Sequence, residues 1–323
     1  MKAEIFTFDN DDIPAPGWLV KDLIPLGHLC FLLAQSGSGK SFLLESLALH
    51  IVFGQSFCDL ETHYGNVLII DQDTPSDVLS TRLKRMRRGF SNGLQPIHEI
   101  RIASMQGLSL ETDQIPHLIN AYNPTLTIID SMHSVCGRLK SNNTTDMGIL
   151  AYIKSQCLAP DRTIIFSHHL TEKISFTLEQ LMDSDQHLSG MGNSVIKQQA
   201  DTEFILASTL ENNKIDRIFL RPVAKRQAIP QTPVIIRMQE TDSSFSFTFD
   251  GYYTPQTNEI ESDIMLLFFE TREEFTVKEI RDRMGMKWGD KVIREALSAL
   301  EAKKKLIMRR NRSNLFKYKI PLF

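Results

Sequence analysis

Eight consecutive residues, Ala34-Gln35-Ser36-Gly37-Ser38-Gly39-Lys40-Ser41, carry the sharpest chemical signal in this 323-residue chain. They follow GxxxxGK[ST] with alanine at the first position, a residue small enough for the loop to close. A phosphate group needs backbone N–H donors that all turn inward, and Gly37 and Gly39 permit the dihedrals this requires. Gln35, Ser36, Gly37, Ser38 and Gly39 would line that cradle. Lys40 opens a helix whose N-terminal end favours negative charge, and adds a mobile cation for the β- and γ-phosphates. Ser41 offers a hydroxyl ligand for Mg²⁺. The motif lies between an apolar run (CFLLA) and a helical pattern (FLLESLALHI), the strand–loop–helix setting it needs. The chemistry implied is binding of a nucleoside triphosphate with Mg²⁺.

Hydrolysis needs more: an acid in the metal's shell and a group that activates water. The run 126–130 (LTIID) ends in Asp130, which would reach the crevice at the carboxyl ends of parallel strands. The run 67–71 (VLIID) ends in Asp71 and continues as Gln72-Asp73-Thr74-Pro75. Asp73 is the favoured general base and Asp71 the alternative, while Asp73 or Thr74 could equally serve as a helix cap ahead of Pro75. A third run, 163–167 (TIIFS), leads into His168-His169, a polar pair placed to sense the γ-phosphate.

The elements that must position these groups follow from periodicity. Strand-like runs fall at 28–34, 66–71, 97–102, 126–130, 163–167 and 203–207, with helical patterns such as 41–52 and 76–87 between them. Short apolar strands alternating with helices predict an α/β fold with a mostly parallel sheet covered on both faces. Runs at 217–224, 234–238 and 245–249 extend that sheet in hairpin fashion. Residues 251–259, opening with GYYTPQTN, read as a linker. Beyond it, 260–323 reads as three helices and a β-hairpin, a winged helix-turn-helix, with Val292, Leu297, Leu300 and Leu306 facing its core. The expected domains are 1–250, the linker 251–259, and 260–323.

Composition excludes several classes. With 42% hydrophobic and 23% charged residues the chain is neither disordered nor collagenous. Four scattered cysteines without a CxxC argue against a zinc ribbon or a disulfide scaffold and for a reducing, cytoplasmic setting. No apolar run is long enough to span a membrane, and the acidic start lacks the order of a signal peptide. The net charge of −3 conceals a division: residues 260–323 carry fifteen Lys/Arg against ten Asp/Glu, leaving the rest acidic. The bias is strongest over 287–319, where Lys287, Lys291, Arg294, Lys303, Lys304, Lys305, Arg309, Arg310 and Arg312 crowd the last helix and hairpin. That footprint suits DNA phosphates, with protein docking or a solvated face as alternatives.

The order P-loop, IIDQDTP, LTIIDS, IIFSHH resembles the RecA-like P-loop ATPases, and within them the RepA-type replicative helicases of plasmids and phages. The lead-in 13–20 (IPAPGWLV) also resembles that branch. The resemblance covers roughly residues 13–240 and implies a RecA-like core that uses ATP and Mg²⁺. It matches Lys40 and Ser41 to the triphosphate and magnesium contacts and Asp130 to the Walker B acid. Gln72 or Asp73 falls where the family has a catalytic glutamate, and His168 or His169 where it has a polar sensor. It further implies a homo-oligomeric ring, six subunits being one size it allows, in which a neighbour's basic residues reach the γ-phosphate. Lys225 and Arg226 match that trans-acting site, a solvated β-edge being the other reading. The segment 190–197 (GMGNSVIK) would grip single-stranded DNA in the channel, or start a helix capped by Ser194. The expected activity is an ATP-dependent DNA motor of a mobile element. The rivals are a recombination or repair ATPase and a DNA-bound ATP switch.

Overall fold

The computed structural model describes residues 17–90, 94–104, 107–136, 144–170, 178–182, 198–223, 232–253, 259–271, 273–303, 305–310 and 316–320. The chain divides into two compact units, Met1–Thr254 and Pro255–Phe323.

The first unit opens with a small antiparallel pair, β1 (Trp18–Val20) and β2 (Ile24–Pro25). It is then built on β3 (Leu29–Ala34), β4 (Val67–Asp71), β5 (Ile100–Ala103), β6 (Leu126–Asp130), β7 (Thr163–His169), β8 (Thr202–Glu211), β9 (Lys214–Val223), β10 (Val234–Glu240) and β11 (Phe245–Tyr252). These form one sheet in the order β11-β10-β9-β8-β3-β7-β6-β4-β5. From β8 to β5 neighbouring strands are parallel, while β9, β10 and β11 add an antiparallel extension beside β8. The central strands are apolar on both faces because helices cover both. On one face α1 (Lys40–Phe53) and α2 (Ser76–Phe90) bring Leu47, Ile51 and Leu79 against Ile69, Ile128 and Ile165. On the other, α3 (Gln114–Tyr122) and α5 (Thr144–Cys157) bring Ile115, Ile119 and Ile153 against Ile70, Ile129 and Phe166. A short α4 (Met132–Val135) follows β6, and α6 (Leu178–Met182) follows β7. This is the α/β architecture expected of a RecA-like core.

Several boundaries differ from the sequence reading, each for a local reason. The run at 97–102 pairs only from Ile100, because the N–H groups of Ile97 and His98 both turn to the Val52 carbonyl at the end of α1. β7 continues two residues further and takes in both histidines. Gly251 and Tyr252 belong to β11 rather than to a linker. The register of β10 and β11 shifts there, and Gly251 takes φ 107°, so the glycine marks a bulge where the sequence suggested a turn. The lead-in residues 13–16 and the linker residues 254–258 lie outside the described set.

The second unit holds α7 (Glu259–Thr271), α8 (Val277–Arg283), α9 (Asp290–Ala302) and an antiparallel hairpin of β12 (Ile307–Arg310) and β13 (Phe316–Lys319). α8 begins at a capping box in which Thr276 and Glu279 satisfy each other's backbone N–H. The core gathers Ile264, Phe268, Phe275, Ile280, Leu297 and Leu306. Val292, expected on the buried face, is 41% exposed; Ile293 takes its place, as the spacing to Leu297 and Leu300 requires. Among the described residues no helix is long and apolar enough to cross a membrane.

Candidate nucleotide site

The loop between β3 and α1 is built around glycines in the left-handed region. Gly37 has φ 74° and Gly39 φ 90°, conformations that side-chain-bearing residues rarely adopt. A Cβ on Gly39 would also meet Ile215 at 3.0 Å and Ile218 at 3.2 Å, so β9 packs directly on the loop. Ser38 Oγ donates to the Gln35 carbonyl at 2.7 Å and closes the turn. Gly37, Ser38, Gly39, Lys40 and Ser41 line one cleft. Gln35 and Ser36 are exposed at its edge and do not line it.

Lys40 is buried, yet it has no carboxylate partner among the described residues. Its Nζ lies 3.3 Å from the Ala34 carbonyl, 3.0 Å from the Gln35 carbonyl and 3.3 Å from His169 Nδ1. Burial pulls the ammonium below its ordinary value, with the Asp130 charge opposing that pull. A cation held only by neutral acceptors is ready to exchange them for phosphate oxygens.

Three carboxylates enter the same cleft: Asp71, Asp73 and Asp130. Asp130 ends β6 beside Asp71, its register partner at the end of β4. Ser167 Oγ of β7 donates to Asp130 Oδ1. Asp71 is almost fully buried, and its Oδ1 accepts from the Asp73 N–H at 2.9 Å and the Thr74 N–H at 2.8 Å. Burial raises its carboxyl above the ordinary range even against those two bonds. Asp71 therefore shapes the turn, and Asp73 is the exposed acid in the cleft. The acid that caps the local backbone is Asp71, not Asp73.

Gln72 points elsewhere. Its amide nitrogen donates to the Leu108 carbonyl at 2.7 Å and the Ser134 carbonyl at 3.4 Å, and its oxygen accepts from the Gly107 N–H at 2.8 Å. Of the two residues at the family's glutamate position, only Asp73 lines the cleft. His168 needs a correction of the same kind. His169 reaches the cleft and Lys40, whereas His168 does not line it. The His168 Nδ1 atom is buried without a hydrogen-bond partner, and burial, with His169, His133 and Lys40 adding, pushes the ring down to about 4. Strand alternation separates the two rings onto opposite faces of β7. His169 is also lowered, by burial first and by Lys40 next, so the neutral ring can accept from the ammonium.

Sequence reasoning missed four residues of the cleft wall: Phe42, Arg82, Ser131 and Ile215. Arg82 reaches from α2 to a buried glutamate on α1, with Nε 2.7 Å from Glu45 Oε2 and Nη2 against Oε1, and its guanidinium lies 5.0 Å from the Phe42 ring centre. Ser131 Oγ donates to Asp73 Oδ2 at 3.0 Å. Lys225, Arg226 and the segment 190–197 fall outside the described residues.

Cradle, cation, hydroxyl and acids fit a triphosphate with its metal: Lys40 and the loop N–H groups would hold the phosphates, and Ser41 and Asp130 the Mg²⁺. No curated protein matches the chain. Among solved structures it is similar to the crystal structure of the flagellar accessory protein FlaH from Methanocaldococcus jannaschii, at 13% identity and a TM-score of 0.46, covering 69% of this chain and 90% of that one. The family model for the AAA domain matches residues 1–173, more than half of the length. Given that match and the nucleotide cleft, the chain belongs to the AAA-domain family of P-loop ATPases.

Proposed function

We propose that this protein is an ATP-dependent DNA motor, a replicative-helicase-like ATPase of a plasmid, phage or other mobile element. The observation that carries the reading is the convergence of Lys40, Ser41, Asp73, Asp130 and His169 from three strand ends and one loop on a single cleft. Lys40 would leave its carbonyl acceptors and His169 for the β- and γ-phosphates, and His169, freed of the ammonium, would meet the γ-phosphate. Asp73, exposed in the cleft, would take the proton of the attacking water. Lys225 and Arg226 would enter a neighbour's site in a homo-oligomeric ring and stabilise charge on the transferred phosphoryl group. Single-stranded DNA would be held by 190–197.

The DNA assignment draws on the second unit, which we read as a winged helix with α9 as its recognition helix. Some of its cations are used internally: Lys287 pairs with Asp263 at 3.1 Å and Lys303 with Glu261 at 2.9 Å. Lys291 and Arg294 are exposed on the outer face of α9 and form no ion pair among the described residues. On α9 they are available for duplex phosphates.

A second reading has one observation in its favour. Asp73 is a methylene shorter than glutamate, which suits a DNA-bound ATP switch with slow turnover. ATP turnover measured with and without single-stranded DNA, together with strand separation, distinguishes the two. The motor reading requires stimulation and unwinding, both lost in Lys40→Ala. Binding to a specific duplex with negligible turnover would overturn it, and turnover surviving Lys40→Ala would remove the site assignment.

A further inference from the structure

A hydrogen bond between side chains, from Ser131 Oγ to Asp73 Oδ2 at 3.0 Å, links the end of β6 to the end of β4. Ser131 is 3% exposed, and its main chain is bracketed by Ser134. The Ser131 N–H donates to Ser134 Oγ at 3.1 Å, and that hydroxyl donates to the Ser131 carbonyl at 2.8 Å. A serine hydroxyl has a single proton to give. Here it goes to a carboxylate 58 positions away in sequence, while the lone pairs stay free to cap α4.

Asp73 is fixed from both ends as a result. Its N–H is held by Asp71 Oδ1 at 2.9 Å and its carboxylate by Ser131. Ser131 follows Asp130 directly in the chain, and Asp130 is the acid read here as a magnesium contact. The hydroxyl thus indexes the acid that faces water to the strand that faces the metal. A general base acts only while its carboxylate is held in the productive orientation.

We infer that Ser131 is a positioning residue for ATP hydrolysis, holding the Asp73 carboxylate in the orientation that activates water. The inference rests on the reading of Asp73 as the general base.

The test is steady-state ATP turnover of the full chain, with nucleotide affinity measured beside it, for Asp73→Asn, Ser131→Ala, Ser131→Thr and Ser131→Ala/Asp73→Asn. Asp73→Asn should lower kcat by about a hundredfold or more. Ser131→Ala should lower kcat about tenfold, the worth of one hydrogen bond to a charged group, with nucleotide affinity within about twofold of the parent. Ser131→Thr, which keeps the hydroxyl, should restore the rate. In the Asp73→Asn background Ser131→Ala should add nothing. If Asp73→Asn is inactive while Ser131→Ala keeps the parent rate, or if the two losses multiply, the positioning role is overturned and the base survives. Parent-level turnover in Asp73→Asn removes the base and the inference with it.

Discussion

Arg82→Met offers a test of the cleft wall whose sign and size both follow from the structure. Arg82 forks onto Glu45, whose side chain is only 5% exposed. Burial pushes the Glu45 carboxyl up to about 7 from an ordinary 4.5; Arg82 pulls it down, and the charges of Asp130 and Asp71 push it up. Because the folded value exceeds the unfolded one, this group's contribution to stability is complete below about pH 4.5 and is lost as pH rises to about 7. At about 1.4 kcal/mol per unit, the loss across that window is about 3 kcal/mol. Above pH 7 the parent curve should level off for this group. Removing Arg82 removes the downward pull, so Glu45 titrates higher and stability keeps falling by about 1.4 kcal/mol per pH unit beyond 7. Glu45→Gln should abolish the slope in both backgrounds. Urea unfolding of the full chain between pH 5 and 8.5 measures it, in a Trp288→Phe background so that Trp18 reports on the first unit. Parallel curves for parent and Arg82→Met above pH 7 would refute the reasoning, as would a slope persisting in Glu45→Gln/Arg82→Met.

Gly89→Ala should destabilise the first unit by about 1–3 kcal/mol, against the gain helix propensity alone would give. The added Cβ would lie 2.0 Å from the Phe245 carbonyl oxygen and 2.7 Å from its carbon, so α2 must move off β11; a raised urea midpoint would show that the contact does not constrain the helix. Lys291→Glu/Arg294→Glu should weaken duplex binding and flatten its salt dependence by a slope of about two, with DNA-independent ATP turnover unchanged. Unaltered duplex affinity in a filter or anisotropy titration would move the DNA contact off α9.

Local chemistry made part of this legible. The phosphate loop and the acid at the end of β6 each sit in one contiguous run of sequence that carries its own strand and turn signals. Arg82–Glu45 and Ser131–Asp73 join residues 37 and 58 positions apart, and a hydroxyl or guanidinium has no partner until the strand order is known. The antiparallel extension was visible as strands. Its role as a wall was not, because it arises from the packing of Ile215 and Ile218 of β9 on Gly39.

The choice between adjacent candidates was the part the sequence held but did not surrender. Side chains alternate across a sheet, so residues two apart share a face. Val67 and Ile69 of β4 pack on the α1 side, and Leu68 and Ile70 on the other. Asp71 continues the α1 side, whereas Gln72 crosses to the 107–108 loop and Ser134. In β6, Leu126 and Ile128 face α1 and Ile129 does not, which sends Asp130 into the cleft. In β7, Ile165 faces α1 and Phe166 does not, which selects His169 and excludes His168. One parity rule therefore sorts three strand ends, once a single residue of each is anchored to the helix that follows the phosphate loop. The loop itself dictates that face, because α1 begins at Lys40 and must pack where its phosphate-binding end meets the strand ends.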